Sequence, residues 1–261
     1  MRFIIFLALV TLGFTNSRTS KSDIREAAEF ALASYDSPMR IESEYGNDIE
    51  IFTVKSVQIV IDHKIKDEDW GMIAIRGTAN PKNVLQDLEY LKTYNADLDM
   101  YIHRGFNYDA RFAKYEIKKR IDKNKRWRVT GHSLGGAVAA IVSIWLASEG
   151  YAIVDCTTFG QPMYTTRPGI LRYQGLVNIN RVVRENDPIP HVPPRTLLAK
   201  LRGAYTHGGN LWFISKGGTL IYTPEIDLND RMKDFGRLKN LLHDKIKYHS
   251  MKGYLKAVRR F

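Results

Sequence analysis

The sequence predicts an α/β fold, with a mostly parallel central sheet carrying helices on both faces, in one domain over residues 19–261. Three observations predict it. Short apolar runs alternate with stretches of helical spacing, and no proline- or serine-rich linker separates them. A lone serine stands among glycines at GHSLGG (131–136), straight after an apolar run and straight before AVAAIVSIWLA. A strand turning sharply into a helix around one small polar side chain is a costly local arrangement, and it makes sense where that side chain must be held out for chemistry.

The elements follow in chain order. Ser22 to Tyr35 reads as an amphipathic helix with Ser22 or Asp23 near its cap. Ile49 to Asp62 alternates and is rich in β-branched residues, which predicts one strand. Gly71 to Ile75 is a short apolar run, read as a buried strand that ends at Arg76-Gly77-Thr78. Asn83 to Tyr94 has helical apolar spacing at Val84, Leu88 and Leu91, and a long helix is expected over Tyr108 to Lys123. Arg126 to Thr130 is the strand before the serine, and Leu134 to Glu149 the helix after it. Further strands are expected at Ala152 to Thr158 and Val177 to Val183, with β-like pieces from Leu211 to Tyr222 and a helix closing the chain.

Bulk properties narrow the function. At 261 residues the chain is long enough to bury a sizeable core. MRFIIFLALVTLGF carries one positive charge and then a twelve-residue apolar or small-residue run, Phe3 to Phe14. That suits a secretory signal peptide and falls short of the ~20 residues that span a bilayer, so residues 1–18 are set apart and a secreted or periplasmic location is expected. Cys156 is the only cysteine, which excludes an intrachain disulfide, and its apolar surroundings suit a buried, inert thiol. No C-x-x-C or H-E-x-x-H occurs, so neither metal nor cofactor is expected. The net charge is +11, with a basic segment from Lys118 to Arg128. A solvated helix face is the default reading, and an anionic membrane surface is the partner that charge would favour next. Nucleic acid is not expected, because these runs lack interleaved aromatics and any module signature.

Gly131-His132-Ser133-Leu134-Gly135 fits G-x-S-x-G, and its strand-before, helix-after context is what the chemistry requires. The glycines let the backbone close over Ser133, and the helix start at Leu134 offers unpaired N–H groups beside the hydroxyl. A serine hydroxyl needs a base, and the base an orienting acid. Asp187 follows the strand Val177 to Val183 directly and precedes Pro188, which would fix a carboxylate rigidly; Glu185 is the alternative. The histidines after Ser133 are His191, His207, His243 and His249. His191 is sterically awkward, being only four residues past Asp187. His207 sits in an HGG that follows the serine rather than preceding it, and reads as structural. His249 is favoured over His243, although spacing alone leaves both open.

The chain resembles the class 3 (fungal-type) lipases of the α/β-hydrolase fold. The resemblance is carried, in the family's order, by IRGTANPKNVLQDL (75–88), HRGF (103–106), VTGHSLGGAVA (129–139), TFGQP (158–162), RVVRENDPIPHVPP (181–194), YTHGGN (205–210) and HSMKGYL (249–255). It implies Ser133 as nucleophile, Asp187 as its acid and His249 as its base. It also implies an oxyanion hole at Thr78 and Leu134, and a lid over residues 80–91 whose apolar face holds Val84, Leu85, Leu88 and Leu91. Val84 stands where family lids often carry a tryptophan, which argues against strong interfacial activation. The implied activity is hydrolysis of carboxylic esters of lipids, acylglycerols or phospholipids in an A1-type reaction. A soluble-ester carboxylesterase with the same triad is the alternative, and a catalytically silent membrane-binding module a more distant one.

Overall fold

The computed structural model describes residues 19–46, 48–55, 57–63, 70–78, 91–193, 203–224 and 245–261. Within them an eight-stranded sheet forms the centre. Its strands are β1 (Ile49–Val54), β2 (Val57–Asp62), β3 (Trp70–Ile75), β6 (Arg126–His132), β7 (Ala152–Phe159), β9 (Asn178–Arg184), β11 (Asn210–Ile214) and β12 (Leu220–Thr223), in that spatial order. The five from β3 to β11 run parallel, while β1, β2 and β12 add antiparallel edges. A smaller sheet, unforeseen in the sequence, joins β4 (Lys92–Asn95), β5 (Met100–His103), β8 (Thr165–Thr166) and β10 (Tyr205–Thr206).

Helices cover both faces because the strand residues alternate. Ile59, Ile61, Ile73, Ile75 and Val129 point into one core, which α3 (Arg104–Lys118) and α4 (Leu134–Ser148) complete. Val60, Met72 and Ala74 point to the other side, against Phe30 of α1 (Lys21–Ala33) and Ile41 of α2 (Pro38–Tyr45). On that side α1 also packs on α6 (Met251–Val258), burying Ile24, Ala28, Trp212, Tyr254 and Val258 in one cluster. Each fully buried isoleucine of this kind contributes roughly 1.5–3 kcal/mol relative to exposure. Helix α4 is apolar all round and correspondingly buried, with twelve of its fifteen residues inside. A short helix, α5 (Arg167–Arg172), follows β8.

Several expectations need correction. The cap of α1 is Ser20, not Ser22 or Asp23: its side chain accepts from Asp23 N–H while Asp23 Oδ2 accepts from Ser20 N–H at 2.7 Å. The stretch 49–62 is a hairpin, because Lys55 takes a positive φ of 57° and reverses the chain between β1 and β2. The helix expected to Tyr94 cannot extend that far, since Lys92–Asn95 is β4 in the small sheet; residues 79–90 lie outside the described residues. Helix α3 begins four residues earlier than expected, where the His103 ring accepts from Phe106 N–H, and ends at Lys118. The apolar leader, residues 1–18, also lies outside the described residues.

Much of the basic segment is paired rather than simply solvated. Lys118 meets Glu149, Lys119 meets Glu116, and Arg120 bridges Glu116 and Glu50. Arg128 is buried among Asp23, Glu26 and Asp155 with its guanidinium 3.8 Å from the Trp70 ring centroid. Cys156 is buried, and burial pushes its thiol up to about 12. Among the described residues no helix is long and apolar enough to cross a membrane.

Candidate active site

The site gathers at the carboxyl ends of the parallel strands. Ser133 follows β6 and caps α4 with φ 61° and ψ −131°, a conformation that non-glycine residues rarely adopt. Its N–H donates to Phe159 O at 2.9 Å, and its own carbonyl accepts from Gly136 and Ala137. The turn closes only without side chains around it. A Cβ on Gly135 would stand 2.6 Å from Arg76 C and 2.7 Å from Gly77 N, and one on Gly77 would stand 3.0 Å from Ser133 Cβ. Gly77-Thr78 therefore runs alongside Ser133-Leu134. Leu134 opens α4, so its N–H has no acceptor within the helix. These are the two expected oxyanion donors, and the fold brings their segments side by side.

Asp187 and His249 meet, although 62 residues separate them. His249 Nδ1 lies 3.0 and 2.8 Å from the two oxygens of Asp187. A carboxylate only accepts, so Nδ1 carries a proton, and in the neutral form of this ring the lone pair is on Nε2. Asp187 also accepts from Ile189 N–H at 2.9 Å and from the Tyr254 hydroxyl at 2.5 Å. Burial alone would raise its pKa, but His249 beside it and these hydrogen bonds outweigh burial and hold it below the ordinary value. Gly160 makes room for the pair: it has φ 57°, and a Cβ there would lie 2.7 Å from Asp187 Oδ2 and 2.9 Å from the His249 ring.

Two links tie this pair to Ser133. The Phe159 carbonyl that holds Ser133 N–H precedes Gly160, which packs on Asp187 and His249. On the other side His132 Nε2 lies 2.7 Å from His249 O, and the two rings stack at 4.5 Å. His132 Nδ1 accepts from the Tyr35 hydroxyl at 2.7 Å. Burial, then the nearby His249, pushes the His132 pKa down to about 3, so this ring stays neutral and spares any imidazolium at His249 a like-charge neighbour. Ser133, Asp187 and His249 are all buried. Ser133 Oγ and His249 Nε2 have no hydrogen-bond partner among the described residues.

The alternatives weighed from sequence fall elsewhere. Glu185 is exposed and accepts from Lys216 N–H. His207 Nε2 is engaged by Pro190 O at 2.6 Å. His191 is only partly buried, and burial pushes its pKa down to about 4. His243, with Val84, Leu85 and Leu88, lies outside the described residues, whereas Leu91 is exposed and its carbonyl accepts from Arg104 N–H. Sequence reasoning missed His132, Tyr35, Gly160 and Tyr254. Three of the four stood inside quoted motifs, but nothing in spacing said that they touch the acid–base pair. Among the described residues no cluster of histidine, cysteine and carboxylate side chains is suited to a metal ion.

A strained serine at a strand–helix turn, with an acid–base pair delivered from beyond later strands of a mostly parallel sheet, defines the class: this is an α/β-hydrolase fold. The family description "Lipase (class 3)" matches residues 72–197. The chain is 29% identical to the secreted mono- and diacylglycerol lipase 1 of Fusarium solani over 135 residues, 47% of this chain and 39% of that protein. It is 34% identical to toxin TseL of Vibrio cholerae over 98 residues, 36% of this chain and 15% of the toxin. The match thus spans less than half the length of either relative. The triacylglyceride lipase structure of Rhizomucor miehei superposes with a TM-score of 0.62 at 18% identity, over 77% of this chain and 82% of that one. The chain is similar to the class 3 lipases over residues 72–197, just under half of its length, and shares their α/β-hydrolase fold.

Proposed function

We propose that this protein is a serine hydrolase that cleaves carboxylic ester bonds of lipids. The observation that carries the reading is the buried Asp187–His249 pair, whose Nδ1 contact leaves Nε2 as the candidate base, together with the strained strand–helix turn that holds Ser133. In this reading Ser133 Oγ attacks the ester carbonyl carbon while His249 Nε2 takes its proton. Asp187 stabilises the imidazolium that results. The tetrahedral oxyanion rests on the N–H groups of Thr78 and Leu134, each donor of this kind being worth about 10²–10³ in rate. His249 then gives its proton to the leaving alcohol, and the acyl group remains on Ser133. A water deprotonated by His249 releases the acid and restores the serine.

Lipid esters are favoured over other esters because the Fusarium relative is named for mono- and diacylglycerols and the Rhizomucor structure for triacylglycerides. Phospholipid cleavage of the A1 type belongs to the same reading, since the net charge of +11 suits anionic lipid surfaces. Secretion is part of it too: the leader MRFIIFLALVTLGF and the secreted Fusarium relative both support export. A soluble-ester carboxylesterase is the second reading, favoured by Val84 in place of the usual lid tryptophan.

One ester series followed across its solubility limit tests both. Ser133→Ala is expected to lower kcat by about 10⁶ with folding intact. A rate that climbs as the substrate aggregates marks a lipase whose segment near Leu88 acts as a lid, whereas saturation on monomeric substrate marks the carboxylesterase. Ester hydrolysis retained by Ser133→Ala would remove Ser133 from the mechanism.

A further inference from the structure

We infer that the outward face of α3, together with Lys55 from the β1–β2 turn, docks on an anionic lipid bilayer. This deepens the proposed function and rests on it, because it supplies the surface on which a lipid ester would be met. The exposed positions of α3 recur at helical spacing, and none carries a carboxylate. Tyr108, Phe112 and Tyr115 lie among them at 51%, 37% and 60% exposure, with Arg111 between. The two acidic residues of the helix, Asp109 and Glu116, are only partly exposed, and Glu116 is engaged by Lys119 and Arg120. A helix face that mixes large aromatic rings with cations and excludes anions suits the headgroup boundary, where rings sink between lipids and cations meet phosphates.

The cations are placed on the rings. Lys55 Nζ lies 4.6 Å from the Phe112 centroid, and Lys119 Nζ lies 4.0 Å from that of Tyr115. This arrangement separates a bilayer from single-stranded nucleic acid as the occupant. Nucleic acid needs open ring faces for its bases to stack on, and here ammonium groups already sit over two of them. Lys55 and Arg111 have no carboxylate partner among the described residues, so their charge is available to phosphates. Helix α3 also packs on α4, the helix that Ser133 caps. Helix α3 follows β5, which pairs with β8 beyond the carboxyl end of β7, and Arg104 N–H donates to Leu91 O at 2.8 Å.

The test is co-sedimentation of the full chain with vesicles of phosphatidylcholine alone or mixed with phosphatidylglycerol, using Ser133→Ala protein so that lipid is not consumed. Binding to the mixed vesicles is expected, weakening as salt rises. Lys55→Ala with Arg111→Ala should weaken it about fivefold per residue, and Phe112→Ala with Tyr115→Ala should weaken it further at every salt concentration. The same four substitutions in Ser133-bearing protein should leave hydrolysis of a soluble short-chain ester unchanged, which shows that the variants fold. Equal binding by parent and variants, no preference for the anionic vesicles, or capture of single-stranded RNA in place of vesicles would each overturn the inference. Failure of the Ser133-bearing parent to hydrolyse any ester would instead overturn the proposed function, and the vesicle result would stand apart from it.

Discussion

At the scale of single residues, the turn at Ser133 trades stability for a fixed placement of its hydroxyl. A non-glycine residue at φ 61°, ψ −131° costs on the order of 1–3 kcal/mol. Alanine keeps that strain and glycine relieves it, against some extra freedom in the unfolded chain. Ser133→Gly is therefore expected to be more stable than Ser133→Ala by about 1 kcal/mol, while both are inactive. Urea titration of the two variants checks this, and equal midpoints would mean that the turn is not strained. Ser133 and Asp187 were legible in the sequence as candidates because strand–turn–helix punctuation and a proline-flanked aspartate are local signals, whereas spacing alone left His249 and His243 both open as the base. Tyr254, whose hydroxyl reaches Asp187, and Tyr35, whose hydroxyl reaches His132, were not legible. Their contacts join elements far apart in the chain, and periodicity carries no information about such pairs.

At the scale of elements, the strands and helices that border Ser133 were read nearly to the residue, because they are long, apolar and bounded by glycine or charge. Boundaries set by short-range hydrogen bonding were read less well. Ser20 was passed over for Ser22 as the cap of α1, although Ser20 has Asp23 three residues on and Ser22 has Arg25 there. Only the first completes the reciprocal pair. Ser20→Ala should accordingly cost about 1 kcal/mol of unfolding free energy. A loss below about 0.3 kcal/mol would contradict the cap's role. The site depends on this helix, since α1 packs on α6, the helix that directly follows His249. The small sheet escaped notice because its strands are two to four residues long and their partners lie far along the chain.

For the whole molecule, buried titratable groups set how stability responds to acid. His132 and His191 are held down at about 3 and about 4, both first by burial. Unfolded histidine takes up a proton near 6.5, so between that pH and 4 the unfolded chain binds more protons and stability falls with pH. Asp109 and Asp155, raised to about 6 by burial, act the other way: the folded chain binds their protons first, and stability gains as pH drops below 6. The parent's slope is the difference of these contributions. His191→Gln removes one destabilising contribution, so its Tm should fall less than the parent's between pH 6.5 and 4.5. Parallel Tm curves would show that His191 protonates equally in both states.

Labelling with a fluorophosphonate, with the adduct located by peptide mass spectrometry, reports whether Ser133 is a nucleophile armed by Asp187 and His249. One adduct is expected, on Ser133, in the parent protein, together with its loss in His249→Ala. An adduct on another residue, or undiminished labelling of Ser133 without His249, would contradict that role.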